Sequence, residues 1–423
     1  MNGKSMTGRL ISTMILFIFV PPILGWSVTE PQAELWSPRI AARERLESVT
    51  SLGIRSALIL DEQEGRYGQA ETGLEVTYNR VDGIFVQVVL DTKWRSPAQL
   101  RLSAHAGYAY KGEAWRYGIG MYRWFNLGKY RLEVGINNYD LTTTEDEWVM
   151  PTDENSAAAF FFKEDFRDYF RRSGTSFHLT GMLFRHLSLE TAYFLDEHES
   201  LKRETNWSLF GGREKFRGNP PANEGEVHSL MAKMVYDSRD DMMEPTSGFL
   251  AKASYEKGGD GFGGDFDFGR FLLDFRRYVR LSIYENIDLR LRLGTASGDL
   301  PVQLAFDLGG VGSLRGYNFK EFDNFDRLVL GNVEYRLQFG RLMPGYLEEK
   351  QIIPFYDFGV AWSSDEKDAL TAGFDQLTWD RLKTSVGIGL STGPGDGFRV
   401  NLARRLDDRD KPMMVRVRLR RIF

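Results

Sequence analysis

Most of the chain, from about residue 72 to its last residue, consists of short segments in which apolar and polar side chains alternate. In Ile287-Asp-Leu-Arg-Leu-Arg-Leu293, for example, the apolar residues share one face, and Asp288, Arg290 and Arg292 share the other. A period of two residues is the period of a β-strand. The pattern predicts sixteen strands, at roughly 72–79, 84–93, 99–110, 114–125, 130–141, 174–184, 187–197, 227–237, 248–258, 267–281, 286–297, 326–340, 351–362, 382–392, 397–406 and 413–423.

The polar faces of these segments are rich in arginine, as in the last one, where Val415 and Val417 alternate with Arg416 and Arg418. The polar face of a soluble β-sandwich meets bulk water and is rarely so regularly arginine. An even number of strands can close into a barrel, and closure pairs the backbone groups that lipid would leave unsatisfied. We therefore predict an all-β fold, a 16-stranded antiparallel transmembrane β-barrel over residues 71–423.

The overall composition agrees with this fold and gives no sign of nucleic-acid binding, metal binding or catalysis. The chain has 423 residues, no cysteine, a formal net charge of -5 and a mean hydropathy of -0.36. Barrel strands hide their apolar residues in alternation, so overall polarity does not argue against membrane residence. The mild acidity, with no basic cluster on one face, predicts no nucleic-acid partner. The histidines lack metal-ligand spacing and no motif indicates catalysis, so no cofactor, metal or enzymatic activity is expected.

The N-terminus has the pattern of a secretory signal peptide. Lys4 and Arg9 precede the apolar run 10–20, and Pro21-Pro22 follows it. A basic start, a short apolar core and a helix break are typical of such a signal, and a membrane anchor is the alternative. The predicted organisation is a signal peptide at 1–25, a short and partly helical leader at 26–70, and the barrel at 71–423.

The lengths of the connections predict the orientation of the barrel. Short turns and both termini would lie on the periplasmic side, and the long connections at 142–173, 198–226 and 298–325 on the extracellular side. The phenylalanine-rich stretch 157–170 predicts an amphipathic helix over the barrel mouth or at the membrane rim. Its charged residues are expected to be solvated: Glu164, Asp165, Arg167 and Asp168. Aromatic residues near strand ends are expected to form interfacial girdles: Trp115, Trp124, Phe125, Trp362 and Phe423.

A glycine-rich loop, Leu308-Gly-Gly-Val-Gly-Ser-Leu-Arg-Gly-Tyr317, lies in the third long connection. Glycine accepts positive φ and close approach of the backbone, so this loop can fold back tightly and hold Arg315 at its tip. An exposed loop with a solvated arginine is the alternative. The candidate residues of the loop are Gly309, Gly310, Arg315, Gly316 and Tyr317.

The segment Phe355-Tyr-Asp-Phe-Gly359 supplies a matching site on a predicted strand. Alternation turns Phe355, Asp357 and Gly359 into the lumen, where the carboxylate can accept a bidentate hydrogen bond from a guanidinium group. Gly387 and Gly389 on the next strand also face inward and leave room for a loop. A buried arginine needs such a partner, so Arg315 is predicted to bind Asp357.

Together these motifs resemble those of the BamA/TamA superfamily, also called the bacterial surface antigen family, over about residues 72–423. The resemblance implies that the Arg-Gly-Tyr loop enters the barrel between strands 11 and 12 and meets an inward F-x-D-x-G motif on strand 13. It also implies that Glu334 and Arg336 of strand 12 face the lumen. Further residues resemble the family's turn between strands 8 and 9 and its terminal barrel signal: Asp237, Arg239, Asp240, Pro245 and Gly248 in the turn, and Phe423 at the end of the chain.

The resemblance implies an outer-membrane assembly or insertion factor that acts through a weak seam between strands 1 and 16. The leader is too short for a POTRA domain, so the chain resembles the branch without these N-terminal domains. The implied partners are outer-membrane lipids and lipopolysaccharide, unfolded outer-membrane proteins or lipoproteins as clients, and a separate periplasmic partner. Two alternatives are a translocation pore for a polypeptide or lipid, and a passive structural barrel.

Overall fold

A computed structural model of the chain describes the residues that hold the predicted strands. They are 70–92, 100–128, 130–184, 186–242, 244–259, 261–339, 349–393, 397–408 and 410–419. The predicted signal peptide, the leader up to residue 69 and the terminal Phe423 lie outside the described residues.

One 16-stranded antiparallel sheet contains all the barrel strands, each paired with the next barrel strand along the chain. This confirms the predicted all-β fold. The barrel strands are β1 (Ala70–Asn79), β2 (Gly83–Thr92), β3 (Leu100–Ala109), β4 (Ala114–Leu127), β5 (Tyr130–Thr143), β6 (Phe170–Phe184), β7 (Leu187–Ser200), β8 (Gly225–Asp237), β9 (Gly248–Gly258), β10 (Phe268–Arg280), β11 (Glu285–Gly298), β14 (Arg327–Gln338), β15 (Gln351–Trp362), β16 (Lys383–Ser391), β17 (Arg399–Arg405) and β18 (Met414–Arg418). A two-stranded sheet pairs β12 (Phe306–Leu308) with β13 (Phe322–Phe325) inside the third long connection.

The two faces of the strands differ as the alternation predicts. On β4, Trp115 and Ile119 are exposed on the outer face, whereas Arg116 and Tyr122 are buried on the inner face. The arginines and glycines of the strands therefore point into the barrel, and the apolar side chains form its outer surface.

The girdle prediction requires side chains on the outer surface, and two of the four described residues do not meet this requirement. Trp115 and Phe125 are exposed, but Trp124 and Trp362 are buried. Trp124 lies on the inner face of β4 because it is an even number of residues from Arg116. Trp362 is covered by the connection to β16, where its indole N–H donates to the carbonyl oxygen of Gly373 at 2.9 Å.

The helix in the first long connection, α1, spans Thr152–Phe162, so it begins and ends earlier than predicted. The next residue, Lys163, caps the helix in a left-handed conformation with φ 64°. No helix in the described part of the chain has the length and apolarity that a membrane crossing requires.

The prediction of a solvated charged face holds for Glu164, which is exposed, but is wrong for two of its other residues. Asp165 and Arg167 are buried in an irregular segment. The side-chain carboxylate of Asp165 accepts from the backbone N–H of Arg80 at 3.1 Å, and Arg167 donates to the carbonyl oxygen of Met150 at 2.7 Å. These charges are thus part of the packed loops that cover one end of the barrel.

The sheet has two edge strands, β1 and β18. Every other barrel strand has a hydrogen-bonded ladder on both sides, but among the described residues no ladder joins β1 to β18. We call the gap between these two edges the seam. Within the described residues the last strand is also short, with five residues.

Candidate functional site

The glycine-rich loop folds back between β12 and β13. Gly309 and Gly310 have φ values of 116° and 104°, which side-chain-bearing residues rarely adopt. A Cβ atom on Gly309 would lie 2.5 Å from the carbonyl oxygen of Asn318, on the returning part of the loop. The hydroxyl of Ser313 accepts the backbone N–H of Gly309 at 2.8 Å and fixes this turn. The loop therefore presents Arg315 at a defined position.

Arg315 is fully buried in the lumen and binds the carboxylate of Asp357 on β15. Its Nε donates to Oδ2 at 2.9 Å, its Nη2 to Oδ1 at 2.5 Å and its backbone N–H to Oδ2 at 3.1 Å. The guanidinium carbon lies 3.4 Å from the ring centre of Phe355, a cation–π contact. The geometry is the bidentate arrangement expected of an arginine and a carboxylate.

Glu334 on β14 joins this pair to two further arginines. It accepts from Arg315 at 2.5 Å, from Arg336 at 2.7 Å, and from both Nη atoms of Arg399 on β17 at 2.9 and 3.0 Å. Arg336 also binds Asp288 on β11. All of these groups are buried, so each charge depends on its partners for stability. We call the five residues Arg315, Glu334, Arg336, Asp357 and Arg399 the lumen network.

Two neutral side chains complete the bonds of Asp357. Asn332 donates to its Oδ1 at 2.9 Å and also to the backbone carbonyl oxygen of Ser313 at 2.8 Å. Ser385 on β16 donates to Oδ2 at 3.2 Å. The carboxylate is thus held by strands on both sides and by the loop, which makes this region of the lumen rigid.

The inward glycines of β16 provide the room that the sequence predicts. A Cβ atom on Gly387 would lie 2.3 Å from the ring of Phe355, and one on Gly389 would lie 2.9 Å from Nε of Arg399. Gly359 on β15 faces Leu308 of the loop in the same way, at 3.1 Å. Larger residues at these positions would displace the side chains that surround Arg315.

The loop also reaches the last two strands. Tyr317 donates its hydroxyl to Asp407 at 2.5 Å, and its carbonyl oxygen accepts from Arg416 of β18 at 2.8 Å. Arg405 of β17 donates to the carbonyl oxygen of Gly316 at 2.9 Å. The loop therefore connects β14 through β18, on the C-terminal side of the seam.

The predicted turn between strands 8 and 9 lies away from these residues. Because successive strands are antiparallel, it lies at the barrel end opposite the β11–β14 connection. Asp237 pairs with Arg239 at 2.7 Å, Asp240 accepts the backbone N–H groups of Thr246 and Ser247 at 2.9 and 3.0 Å, and Pro245 is buried beside them.

Gly248 and Asp240 shape the turn between β8 and β9. A Cβ atom on Gly248 would lie 2.1 Å from the carbonyl oxygen of Ser238. Burial raises the pKa of Asp240, but hydrogen bonds from Thr246 and Ser247 outweigh it and lower the pKa to about 2.

A cavity of about 360 Å³ lies beneath the loops at the opposite end. Its lining includes Lys320, which binds three carboxylates: Asp146 at 3.0 Å, Asp168 at 2.9 Å and Asp307 at 2.7 Å. Burial lowers the pKa of Lys320, but the three carboxylates outweigh it and hold that pKa well above its usual value. No group of three or more acidic or histidine residues with metal-binding geometry occurs in the described ranges.

Sequence reasoning missed several residues that hold Arg315 and its loop: Asn332, Ser385, Arg399 and Arg405. Arg399 and Arg405 lie on the inner face of β17, and the period of two could have placed them there. Nothing in the local pattern shows which carboxylate each one binds, because the partners lie 65 and 84 residues earlier in the chain.

The fold and the buried arginine–aspartate pair define a membrane β-barrel with a loop folded into its lumen. The family model of the Omp85 superfamily domain matches residues 130–412, and the chain belongs to this superfamily. This membership supports an outer-membrane location.

Two relatives illustrate the similarity. The outer membrane protein assembly factor BamA of Nitratidesulfovibrio vulgaris is 30% identical over 182 residues, which cover 39% of this chain and 21% of that protein. The match thus spans about a fifth of the relative's length. The crystal structure of BamA from Haemophilus ducreyi lacking POTRA domains 1–3 superimposes with a TM-score of 0.56 at 15% identity, covering 92% of this chain and 78% of that one. The second likeness shows the fold alone.

Proposed function

We propose that this chain is an outer-membrane assembly factor that inserts client proteins through the seam. The observation that carries the proposal is the pair of free edges, since no ladder joins β1 to β18 among the described residues. A free strand edge presents unpaired N–H and C=O groups and is a template for another strand. The name of the Nitratidesulfovibrio relative, an outer membrane protein assembly factor, supports the same function.

The lumen network supports this function by making the two sides of the seam unequal. The loop of Arg315 braces β14 to β18 through buried charged hydrogen bonds. On the other side, β1 has a ladder with β2 alone among the described strands. A braced C-terminal side and a free N-terminal edge would let β1 accept a client strand while the remainder of the barrel keeps its shape.

The proposed setting is the outer membrane, with both chain ends on the periplasmic side. The proposed partners are outer-membrane lipids and lipopolysaccharide around the barrel, unfolded outer-membrane proteins or lipoproteins as clients, and a separate periplasmic protein that delivers them. No enzymatic step is proposed.

The test is to deplete the protein and to measure the outer-membrane proteome, with strains that carry Arg315→Ala or Arg213→Ala as the sole copy. Arg213 is an exposed loop arginine and serves as the control. Several barrels or lipoproteins should fall together on depletion and in Arg315→Ala, but not in Arg213→Ala. An unchanged proteome would instead support a passive structural barrel.

A translocation pore is the second candidate, and the cavity of about 360 Å³ beneath the loops favours it. A pore would conduct ions once the loop that fills the lumen is removed. Deletion of residues 300–320 should then raise conductance in planar bilayers strongly, and depletion should remove one exported polypeptide or lipid and leave other barrels unchanged.

A further inference from the structure

We propose that helix α1 is a built-in occupant of the seam, which holds β1 and β18 in place of strand pairing and is displaced when a client strand is added. This inference rests on the proposed function and deepens it, because it names the element that controls access to the site. It is carried by hydrogen bonds that one helix makes to the free edges of both strands.

The two contacts come from side chains that are two residues apart on α1. The backbone N–H of Tyr78 on β1 donates to Oγ of Ser156 at 2.6 Å. The backbone N–H of Leu419, which directly follows β18, donates to Oε1 of Glu154 at 2.7 Å. In a paired seam such N–H groups would donate to carbonyl oxygens of the neighbouring strand. The helix supplies side-chain oxygens instead.

A buried ion pair strengthens the contact with β18. Arg418 donates from Nε to Oε1 of Glu154 at 2.9 Å and from Nη1 to the carbonyl oxygen of Val149 at 3.0 Å. The side chains of Arg418 and Glu154 are 1% and 5% exposed, so each is the neutralising partner of the other. The first turn of α1 and the segment before it are therefore attached to the end of β18 by three hydrogen bonds.

The exposure of β1 indicates where α1 packs against the strand. Leu74, Val76 and Tyr78 share the outer face of β1, yet Tyr78 is 6% exposed whereas Leu74 and Val76 are 48% and 43% exposed. Phe160 of α1 covers Tyr78 from outside, with ring centres 5.5 Å apart. Near the other end of the helix, Asn155 lines a pocket on the inner face of the barrel. The helix thus packs against the end of β1, with Asn155 beside the inward side chains and Phe160 against the ring of Tyr78.

The outer end of α1 carries aromatic rings that suit a membrane interface. Phe162 is 64% exposed, and Phe210 of the next long connection, 67% exposed, lies beside it with ring centres 6.1 Å apart. Aromatic side chains at the rim of a barrel sit in the headgroup region of a bilayer. When α1 leaves the seam, its outer end can therefore remain in the lipid interface while its polar start, Glu154 and Ser156, releases the two edges.

A client strand would compete with α1 for the same N–H groups. The helix satisfies one N–H on each edge, whereas an added strand would pair with many groups along an edge. Displacement is therefore favoured once a strand of sufficient length is present. Without a client, α1 protects both edges from unwanted pairing.

The first experiment restrains α1. The chain has no cysteine, so introduced thiols are unique. The pair Glu154→Cys and Arg418→Cys is joined by a short reducible bis-thiol reagent, and insertion of a reporter barrel into proteoliposomes is measured. Insertion should fall at least about tenfold on cross-linking, as expected if opening requires that contact to break, and should return after reduction. The control pair, Thr180→Cys and Glu190→Cys, faces across the β6–β7 ladder and should change nothing when joined.

The second experiment reports on the seam without using activity. The buried Ser156→Cys thiol is labelled with a water-soluble maleimide, with and without Glu154→Gln. Labelling should become about tenfold faster with Glu154→Gln, the factor that corresponds to weakening a hydrogen bond to a charged group. Unchanged labelling together with full insertion by the cross-linked protein would overturn the inference. Faster labelling without reporter insertion in any variant would overturn the proposed function and leave α1 established at the seam.

Discussion

The Arg315 loop and helix α1 both attach a long connection to the barrel through a buried arginine and a buried carboxylate, but the two attachments differ in redundancy. In the lumen network, Asp357 accepts hydrogen bonds from Arg315, Asn332 and Ser385. At the seam, Glu154 accepts only through Oε1, and its Oε2 is buried without a hydrogen-bond partner among the described residues.

This difference separates a permanent brace from a contact that can be broken. To release the Arg315 loop, several buried bonds to different strands must break together, so losing this brace should be costly. To release α1 from β18, the bonds to one carboxylate oxygen of Glu154 must break, so losing this contact should cost less. The comparison predicts that substitutions in and around the lumen network lower the free energy of unfolding most. Substitutions at the seam should lower it less, and those at the opposite barrel end least.

The largest effect is expected for Arg315→Ala. It leaves Asp357 and Glu334 buried with one cation fewer, which should lower the free energy of unfolding by about 3–5 kcal/mol. Urea unfolding in lipid vesicles, followed by tryptophan fluorescence, measures this change. The control Arg213→Ala should stay within about 0.5 kcal/mol. In a double-mutant cycle with Asp357→Ala the two losses should fail to add, and full additivity would exclude the direct pairing.

A smaller loss is expected for Gly387→Ala. Its new methyl group would lie 2.2 Å from the carbonyl oxygen of Leu402 on β17 and 2.3 Å from the ring of Phe355, so the strand or the ring against Arg315 must shift. Such overpacking should cost about 1–3 kcal/mol in the same unfolding measurement. Gly73→Ala on β1 is the matched control, because nothing lies within 4 Å of its Cβ position. If the two variants were equally stable, the residues around Arg315 would accommodate the methyl group without cost. That result would contradict the description of this region as a rigid brace.

At the seam, Glu154→Gln should lower the free energy of unfolding by about 1.5 kcal/mol, the lower end of the range for a hydrogen bond to a charged group, because glutamine keeps an acceptor oxygen but leaves Arg418 without the opposite charge. The exposed Glu204→Gln in the second long connection is the control. A loss as large as that of Arg315→Ala would mean that α1 is a brace equal to the lumen network.

The smallest effect concerns pH and the turn between β8 and β9. The pKa of Asp240, about 2, lies below the unfolded value of roughly 4. Its stabilising contribution is therefore complete above about pH 4 and is lost as the pH falls toward 2. The urea midpoints of the wild-type protein and Asp240→Asn should differ at pH 6 and converge near pH 2. A constant difference across this range would rule out ionised Asp240 as the cause.

The sequence predicted the sixteen barrel strands well because their signal is local. A residue and its neighbour two positions away lie on the same face of a strand. Alternation alone therefore predicts the strand and which of its side chains face inward. The proximity of Arg315 and Asp357 could also be anticipated, because the inward glycines near Asp357 leave room for a loop and a buried arginine needs a carboxylate partner.

The start of α1 and the burial of Asp165 and Arg167 could not be predicted in this way. The helix was predicted too far toward the C-terminus because the prediction relied on the three phenylalanines 160–162. The buried start of the helix is polar and gave no apolar signal. Asp165 is stabilised by the backbone of Arg80, 85 residues earlier, and Arg167 by the backbone of Met150. Burial that depends on distant partners leaves no periodic trace in the segment itself.

The contact between β18 and α1 also has a consequence for the order of folding. Arg418 and Leu419 bind a glutamate that lies 264 and 265 residues earlier in the chain, so almost the whole barrel must be present before these bonds can form. Contacts of such large sequence separation carry the highest loop-closure cost and are made late. We therefore expect the ring to be completed by α1 as its final step, so that each round of insertion would begin by reversing the last event of the protein's own folding.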